Sequence, residues 1–335
     1  MPTPAPDARL AALSRWVADI VADPRCDIRP ASADASFRRY FRVRLADGKS
    51  YIVMDAPPDK EDSRPYVEVA RRLRGLGLNV PEILAHDIGR GFMLITDLGS
   101  QSYLDALSAD SVERLYGDAM GALMVLQAGV HTDSSFLPPY DAPLLQREME
   151  LFREWYLGRH LGFTLAAAQH AVLDQAFAAL AASASEQPRV WVHRDYHSRN
   201  LMVYPRHNPG ILDFQDAVLG PVTYDLVSLL RDCYIAWPRG RVEGWVKDYY
   251  ARARESGITV GEDAARFLRW FDLMGVQRHL KAIGIFARLN HRDGKPGYLN
   301  DIPRTMGYVL EVSARYAELQ PLHRLLIDLG VPSGR

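Results

Sequence analysis

The chain predicts an α+β fold in two lobes: a small β-rich N-terminal lobe over residues 1–99 and a larger, mostly helical C-terminal lobe over residues 100–335. Three observations carry this expectation. Short runs of alternating apolar and polar residues dominate before residue 100. Helical spacing dominates after Asp110. Between the helices, a strand-turn-strand segment over 191–216 holds the run Val192-His193-Arg194-Asp195-Tyr196-His197-Ser198-Arg199-Asn200 and then Ile211-Leu212-Asp213-Phe214.

Leu10, Leu13, Trp16, Val17, Ile20 and Val21 recur at helical spacing behind Asp7, a plausible N-cap. Phe37 to Leu45 alternates Phe37, Arg39, Phe41 and Val43 with Arg38, Tyr40, Arg42 and Arg44, as a strand does. Asp47-Gly48 is a hairpin turn signal, and Ser50 to Met54 is the next strand. Tyr66 to Leu76 reads as a helix ended by glycine, and Phe92 to Thr96 as a further strand. Leu98-Gly99-Ser100 is the expected connection between lobes. Helices are expected over 111–127, 143–157 and 163–182, and, after the strand-turn-strand segment, over 224–234, 241–255, 264–289 and 303–319.

Composition excludes several classes. The chain has 335 residues, 48% of them hydrophobic and 24% charged, with a formal net charge of −1. That balance offers nothing to draw nucleic acid or a membrane surface. Cys26 and Cys233 stand at no metal-ligand spacing and suit a reducing cytoplasm. No apolar run reaches the roughly 18 residues of a membrane span, and the N-terminus lacks a secretory signal. The expectation is a cytoplasmic protein with no nucleic-acid, membrane or obligate protein partner.

The chemistry of the central segment follows from its spacing. His193-Arg194-Asp195, four residues and Asn200 match the H-R-D-x-x-x-x-N loop of kinase-type phosphotransfer, and Asp213 ends the next apolar run. Asp195 is the candidate catalytic base. Asn200 and Asp213 are candidate ligands for Mg²⁺, which takes hard oxygen donors. Gly48-Lys49-Ser50 is not a P-loop, because Val43 stands where that motif needs its first glycine.

These residues, with Gln215-Asp216 and Gly220-Pro221-Val222-Thr223-Tyr224-Asp225-Leu226, resemble the aminoglycoside phosphotransferase and choline kinase-like branch of the protein-kinase fold. Within that branch, Ala33-Asp34-Ala35-Ser36-Phe37-Arg38-Arg39-Tyr40-Phe41-Arg42, Met54-Asp55-Ala56-Pro57-Pro58 and Arg292-Asp293-Gly294-Lys295-Pro296-Gly297-Tyr298 are similar to the bacterial anomeric sugar kinases of N-acetylmuramate and N-acetylglucosamine. The resemblance implies ATP and Mg²⁺, a small amino-sugar acceptor and a place in cell-wall recycling. It makes His193 and Asp225 supports of the catalytic loop. It also makes the main chain of Asp97 and Leu98 the expected reader of adenine.

Two departures bear on the phosphates. The loop Ser32-Ala33-Asp34-Ala35-Ser36 has no glycine, which leaves the Ser32 and Ser36 hydroxyls as donors. Met54 stands where the strand should carry a phosphate-binding lysine, so Glu68 on the next helix lacks its partner. Arg38, Arg39 or Arg42 could supply the charge. Arg39 and Arg42 are the expected ligands, the alternative being that they are solvated strand faces.

Only eleven residues separate Asp213 from Asp225, too few for a peptide-docking platform, so a small acceptor is expected. The basic stretch from Arg278 to Arg304 favours an anionic one, with Arg278 and Lys281 three apart on one helix face. The alternative there is a solvated basic face. Two other readings of the whole chain remain open at this point: phosphorylation of an aminoglycoside or choline-like acceptor, and a catalytically silent nucleotide-binding regulator.

Overall fold

The first elements follow from their apolar spacing. In the computed structural model, which describes residues 7–33, 37–131 and 134–333, helix α1 (Ala8–Val21) starts where the Asp7 carboxylate accepts the Leu10 N–H at 3.0 Å. Strands β1 (Asp27–Ala33), β2 (Arg39–Arg44) and β3 (Ser50–Asp55) follow, then helix α2 (Arg64–Gly75) and strands β4 (Ile83–Asp87) and β5 (Phe92–Thr96). The five strands form one antiparallel sheet in the order β1-β2-β3-β5-β4. Strand β1 was not expected from sequence. It contains Pro30, which has no N–H to donate, and its pairing with β2 slips at that point.

Alternation decides which side chains share a face. Phe41, Val43, Val53, Phe92 and Leu94 cover one face and pack against Leu13, Trp16 and Val17 of α1. Each fully buried side chain of this kind contributes about 1.5–3 kcal/mol. Arg39 lies on the same face, and Asp55 is paired directly across from it. The buried Asp55 carboxylate accepts from Arg9 and Arg39, and Arg39 also binds Asp7. These ion pairs tie α1 to the sheet.

The second half of the chain is mostly helical: α3 (Tyr103–Ala106), α4 (Val112–Ala128), α5 (Ala142–Leu151) and α6 (Ala167–Ser185) precede strand β6 (Arg189–Val192). Short strands β7 (Leu201–Met202), β8 (Gly210–Ile211) and β9 (Val218–Pro221) follow, then α7 (Tyr224–Leu230), α8 (Arg239–Glu255), α9 (Ala264–Asp293), α10 (Ile302–Ser313) and α11 (Gln320–Asp328). β6 pairs with β9, and β7 with β8. The helix expected over 143–157 is interrupted: after α5 the chain continues in π-helical turns over Phe152–His160. The helix expected over 224–234 ends at Leu230, and Asp232 beyond it turns its carboxylate to the Ser198 N–H. No helix among the described residues is long and apolar enough to cross a membrane.

The chain divides into two units, residues 1–101 with 202–216, and residues 102–201 with 217–335. The sequence predicts 191–216 as one segment of the second lobe. Its latter part joins the first unit through local contacts: the Ile211 N–H donates to Asn79 C=O at 2.8 Å, and the Phe214 ring lies 4.7 Å from Tyr66 of α2.

Candidate active site

In the second unit, β6 delivers the chain into the loop His193–Asn200. Arg194 has a φ of 79°, a left-handed conformation that a side chain disfavours. Two buried carboxylates hold the loop there. Asp225, at the start of α7, accepts the His193 N–H at 2.6 Å and the Arg194 N–H at 3.0 Å. Asp232 accepts the Ser198 N–H at 2.9 Å. The Tyr196 hydroxyl anchors the middle by donating to Ala119 C=O at 2.9 Å. The Asn200 amide nitrogen donates to Asp195 C=O at 3.0 Å, so Asn200 and Asp195 are fixed together.

Asp195 is half-buried beside Lys281, Arg278, Arg194 and the His197 imidazole. Burial works against its charge, but Lys281, His197, Arg278 and Arg194 outweigh it and hold its pKa below the usual carboxylate range. Asp225 shows the opposite balance. Burial pushes it up to about 7 against its two N–H bonds, and the nearby Asp195 charge adds to the rise. Environments that drive two carboxylates apart in this way separate the ionised group, here Asp195, from the one closer to neutral.

Arg278 and Lys281 share a face of α9 as expected, and both are buried rather than on a solvated basic face. The Lys281 ammonium lies 3.1 Å from Glu148 and 3.0 Å from the Tyr224 hydroxyl. Arg194 also binds Glu148, at 2.7 Å. Arg278 lies 3.7 Å from the Cys233 Sγ, and its Nε is buried with no hydrogen-bond partner. The Arg199 guanidinium stacks 3.7 Å from the Tyr234 ring. Glu148, Asp232 and His197 escaped the sequence reading, since no spacing links Glu148 to Arg194 or Lys281 before the helices pack.

In the first unit, Asp213 also has a left-handed φ, 62°. The Gln215 amide nitrogen bridges Asp213 at 2.8 Å and Asp216 at 3.2 Å. Arg42 binds Asp97 through two bonds, 2.7 and 3.0 Å, and donates to Gly99 C=O at 2.8 Å. Leu98 is buried, its side chain 3.0 Å from where a Cβ on Gly210 would stand. Arg39 does not meet the expectation of a phosphate ligand, because alternation turns it to the α1 face and into the Asp55 and Asp7 ion pairs. Glu68 lies on the exposed side of α2 with Arg71 and Arg72. Arg38, immediately ahead of β2, binds Glu61 at 3.1 Å. Burial acts against the Arg38 charge, but Tyr40, Glu61, Asp216 and Asp213 raise its pKa. Ser36 and the Ser32 side chain lie outside the described residues.

A sequence profile of the phosphotransferase enzyme family matches residues 27–271. A Pseudomonas putida protein named N-acetylmuramate/N-acetylglucosamine kinase is 48% identical over 336 residues, covering 97% of this chain and 98% of its own. A Neisseria meningitidis protein of the same name is 44% identical, covering 95% of each. The fold is similar to that of the choline kinase LicA from Streptococcus pneumoniae, with a TM-score of 0.63 at 12% identity over 90% of this chain and 99% of that one. It is also similar to the gentamicin complex of APH(2'')-IIa, with a TM-score of 0.61 at 15% identity over 95% of this chain and 99% of that one. A profile match over most of the chain, with relatives that align almost end to end, makes this chain a member of the phosphotransferase enzyme family.

Proposed function

We propose that the protein is an ATP-dependent sugar kinase acting on the anomeric hydroxyl of N-acetylmuramate and N-acetylglucosamine, and that it serves the recycling of cell-wall amino sugars in the cytoplasm. The acceptor is supported by the whole-length relatives that bear that name. One structural observation carries the chemistry: Asp195 sits on a loop pinned by Asp225 and Asp232, beside Lys281, Arg278 and Arg194, whose charges favour its ionised form. In the transfer, the acceptor oxygen bonds to the terminal phosphorus of ATP, the bond from that phosphorus to the bridging oxygen of ADP breaks, and the hydroxyl proton passes to the Asp195 carboxylate. An anomeric hydroxyl is more acidic than an ordinary alcohol, so Asp195 has only to orient it and collect its proton.

The donor set suits Mg²⁺. Asn200 and Asp213 offer hard oxygens, and the Asn200 amide nitrogen donates to Asp195 C=O, which holds it beside the proposed base. Among the described residues, no three His, Cys, Asp or Glu side chains cluster as a ready-made metal cage. Mg²⁺ needs none, because it is bound by one or two protein groups together with phosphates and water. When bound, it neutralises charge on the phosphate oxygens. Asn200 and Asp213 are the proposed ligands, the main chain at Asp97 and Leu98 the proposed adenine reader, and Arg278, with its spare Nε–H, the proposed contact to an acceptor carboxylate.

The test is ADP release with Mg-ATP against N-acetylmuramate, N-acetylglucosamine, choline and kanamycin. Turnover is expected on the two amino sugars. Asp195→Asn is expected to lower kcat by about 10²–10⁴ while ADP affinity stays within twofold. Turnover on choline or kanamycin alone would overturn the assigned acceptor, and near-normal turnover of Asp195→Asn would remove the proposed base.

A further inference from the structure

The nucleotide site of a kinase needs a cation on its phosphates, usually a lysine on the third strand held by a glutamate on the following helix. Neither member of that pair is in place here. Met54 holds the lysine position on β3, only 1% exposed, paired across to Tyr40 on β2 and Met93 on β5. A thioether cannot bind phosphate. Glu68 on α2 lies on the exposed side of its helix with Arg71 and Arg72, while Tyr66, Val69, Ala70 and Leu73 form the buried side.

Alternation and proximity select the replacement. Tyr40 and Arg42 fall on the same face of the sheet as Met54, and Arg38, one residue ahead of β2, lies close enough to Tyr40 for the two to interact electrostatically. Arg42 is held at the far end of that face by Asp97 and Gly99 C=O. Arg39 is on the other face, in the ion pairs that tie α1 to the sheet. Arg38 stands two positions before Tyr40, immediately ahead of the first residue of β2. Its side chain is 12% exposed, and Glu61 binds it with Oε2 at 3.1 Å while Oε1 accepts the Phe37 N–H at 3.3 Å. Glu61 therefore fixes both the guanidinium and the backbone that carries it. Asp213 and Asp216 lie close enough to act on the Arg38 charge, and buried Tyr66 feels both Arg38 and Asp213. Phe214, next to Asp213, stacks on the same Tyr66 ring at 4.7 Å. Arg38 thus sits in the same neighbourhood as the proposed metal ligand of this unit.

We infer that Arg38, oriented by Glu61, is the cation that binds the nucleotide phosphates, in place of the lysine–glutamate pair of β3 and α2. This rests on the kinase reading above. A guanidinium brings planar, two-pronged hydrogen bonding that an ammonium lacks, so Lys at this position keeps the charge and loses the geometry. Glu61 is the positioning residue and acts through Arg38.

The experiment measures binding of ADP, ATP and adenosine to the full chain by calorimetry, with Mg²⁺ and without acceptor. Wild type is expected to bind all three. Arg38→Met is expected to weaken ADP and ATP tenfold or more while adenosine stays within twofold, and Arg38→Lys to fall between. Glu61→Gln is expected to weaken ADP less than Arg38→Met and to leave adenosine alone. Adding Met54→Lys to Arg38→Met returns a cation to the face and is expected to recover part of the ADP affinity. ADP affinity of Arg38→Met within twofold of wild type would overturn the assignment, as would equal losses for ADP and adenosine. Wild type that binds no nucleotide would overturn the kinase reading itself, and the role of Arg38 with it.

Discussion

Lys281 lies 3.1 Å from Glu148, and its charge is the largest single influence that keeps Asp195 ionised against burial. This gives a pH prediction with a definite sign. A cation beside a carboxylate favours the charged form, so Asp195 titrates below the ordinary carboxylate value of about 3.9. The base form is then present throughout the neutral range and is lost only in acid. Lys281→Met removes that cation, raises the Asp195 pKa and moves the acid limb of kcat/KM to higher pH. A profile unchanged in Lys281→Met would count against the coupling. The motif spacing alone named Asp195, Asn200 and Asp213, but not Glu148 or Asp232. Those two act across large separations in the chain: Glu148 on Arg194 and Lys281, and Asp232 on Ser198.

Elements show the same division. Strand β2 was legible because its alternation is strong, and that alternation also separates Arg42 from Arg39. The sequence named Arg39 and Arg42 together and could not separate them, because it does not say which face α1 will cover. Helix α9 was legible from its length and periodicity, while its partner was not. A Cβ on Gly284 of α9 would stand 2.3 Å from the Leu151 carbonyl carbon and 2.5 Å from the Phe152 nitrogen. That is where α5 gives way to the π-helical turns, so the two backbones meet with no room for a methyl group. Gly284→Ala is expected to cost about 1–3 kcal/mol, as overpacking does. Chemical denaturation reads this directly, and a midpoint equal to wild type would contradict the close approach.

For the whole molecule, ligand binding to the folded chain alone raises its stability by about 2.7 kcal/mol at a concentration 100 times Kd. Mg-ADP is therefore expected to raise Tm more than ADP alone. Asp213→Ala is expected to abolish the Mg²⁺-dependent part and leave the rest. Equal Mg²⁺ effects in the variant and wild type would remove Asp213 from the metal site. The formal net charge of −1 makes long-range attraction of the anionic nucleotide weak, so its recognition depends on local cations.

The sequence by itself determined the α+β class and the family and singled out the three motif residues as candidates, because spacing within one loop and periodicity within one element are local properties of the chain. Only the tertiary structure decided that Asp232 joins Asp225 in pinning the loop, that Lys281 pairs with Glu148, and that Arg39 is bound to Asp55 and Asp7 while Arg38 is bound to Glu61. Each of these depends on which face of a strand or helix is covered, and on charges that meet only when distant segments pack and leave water.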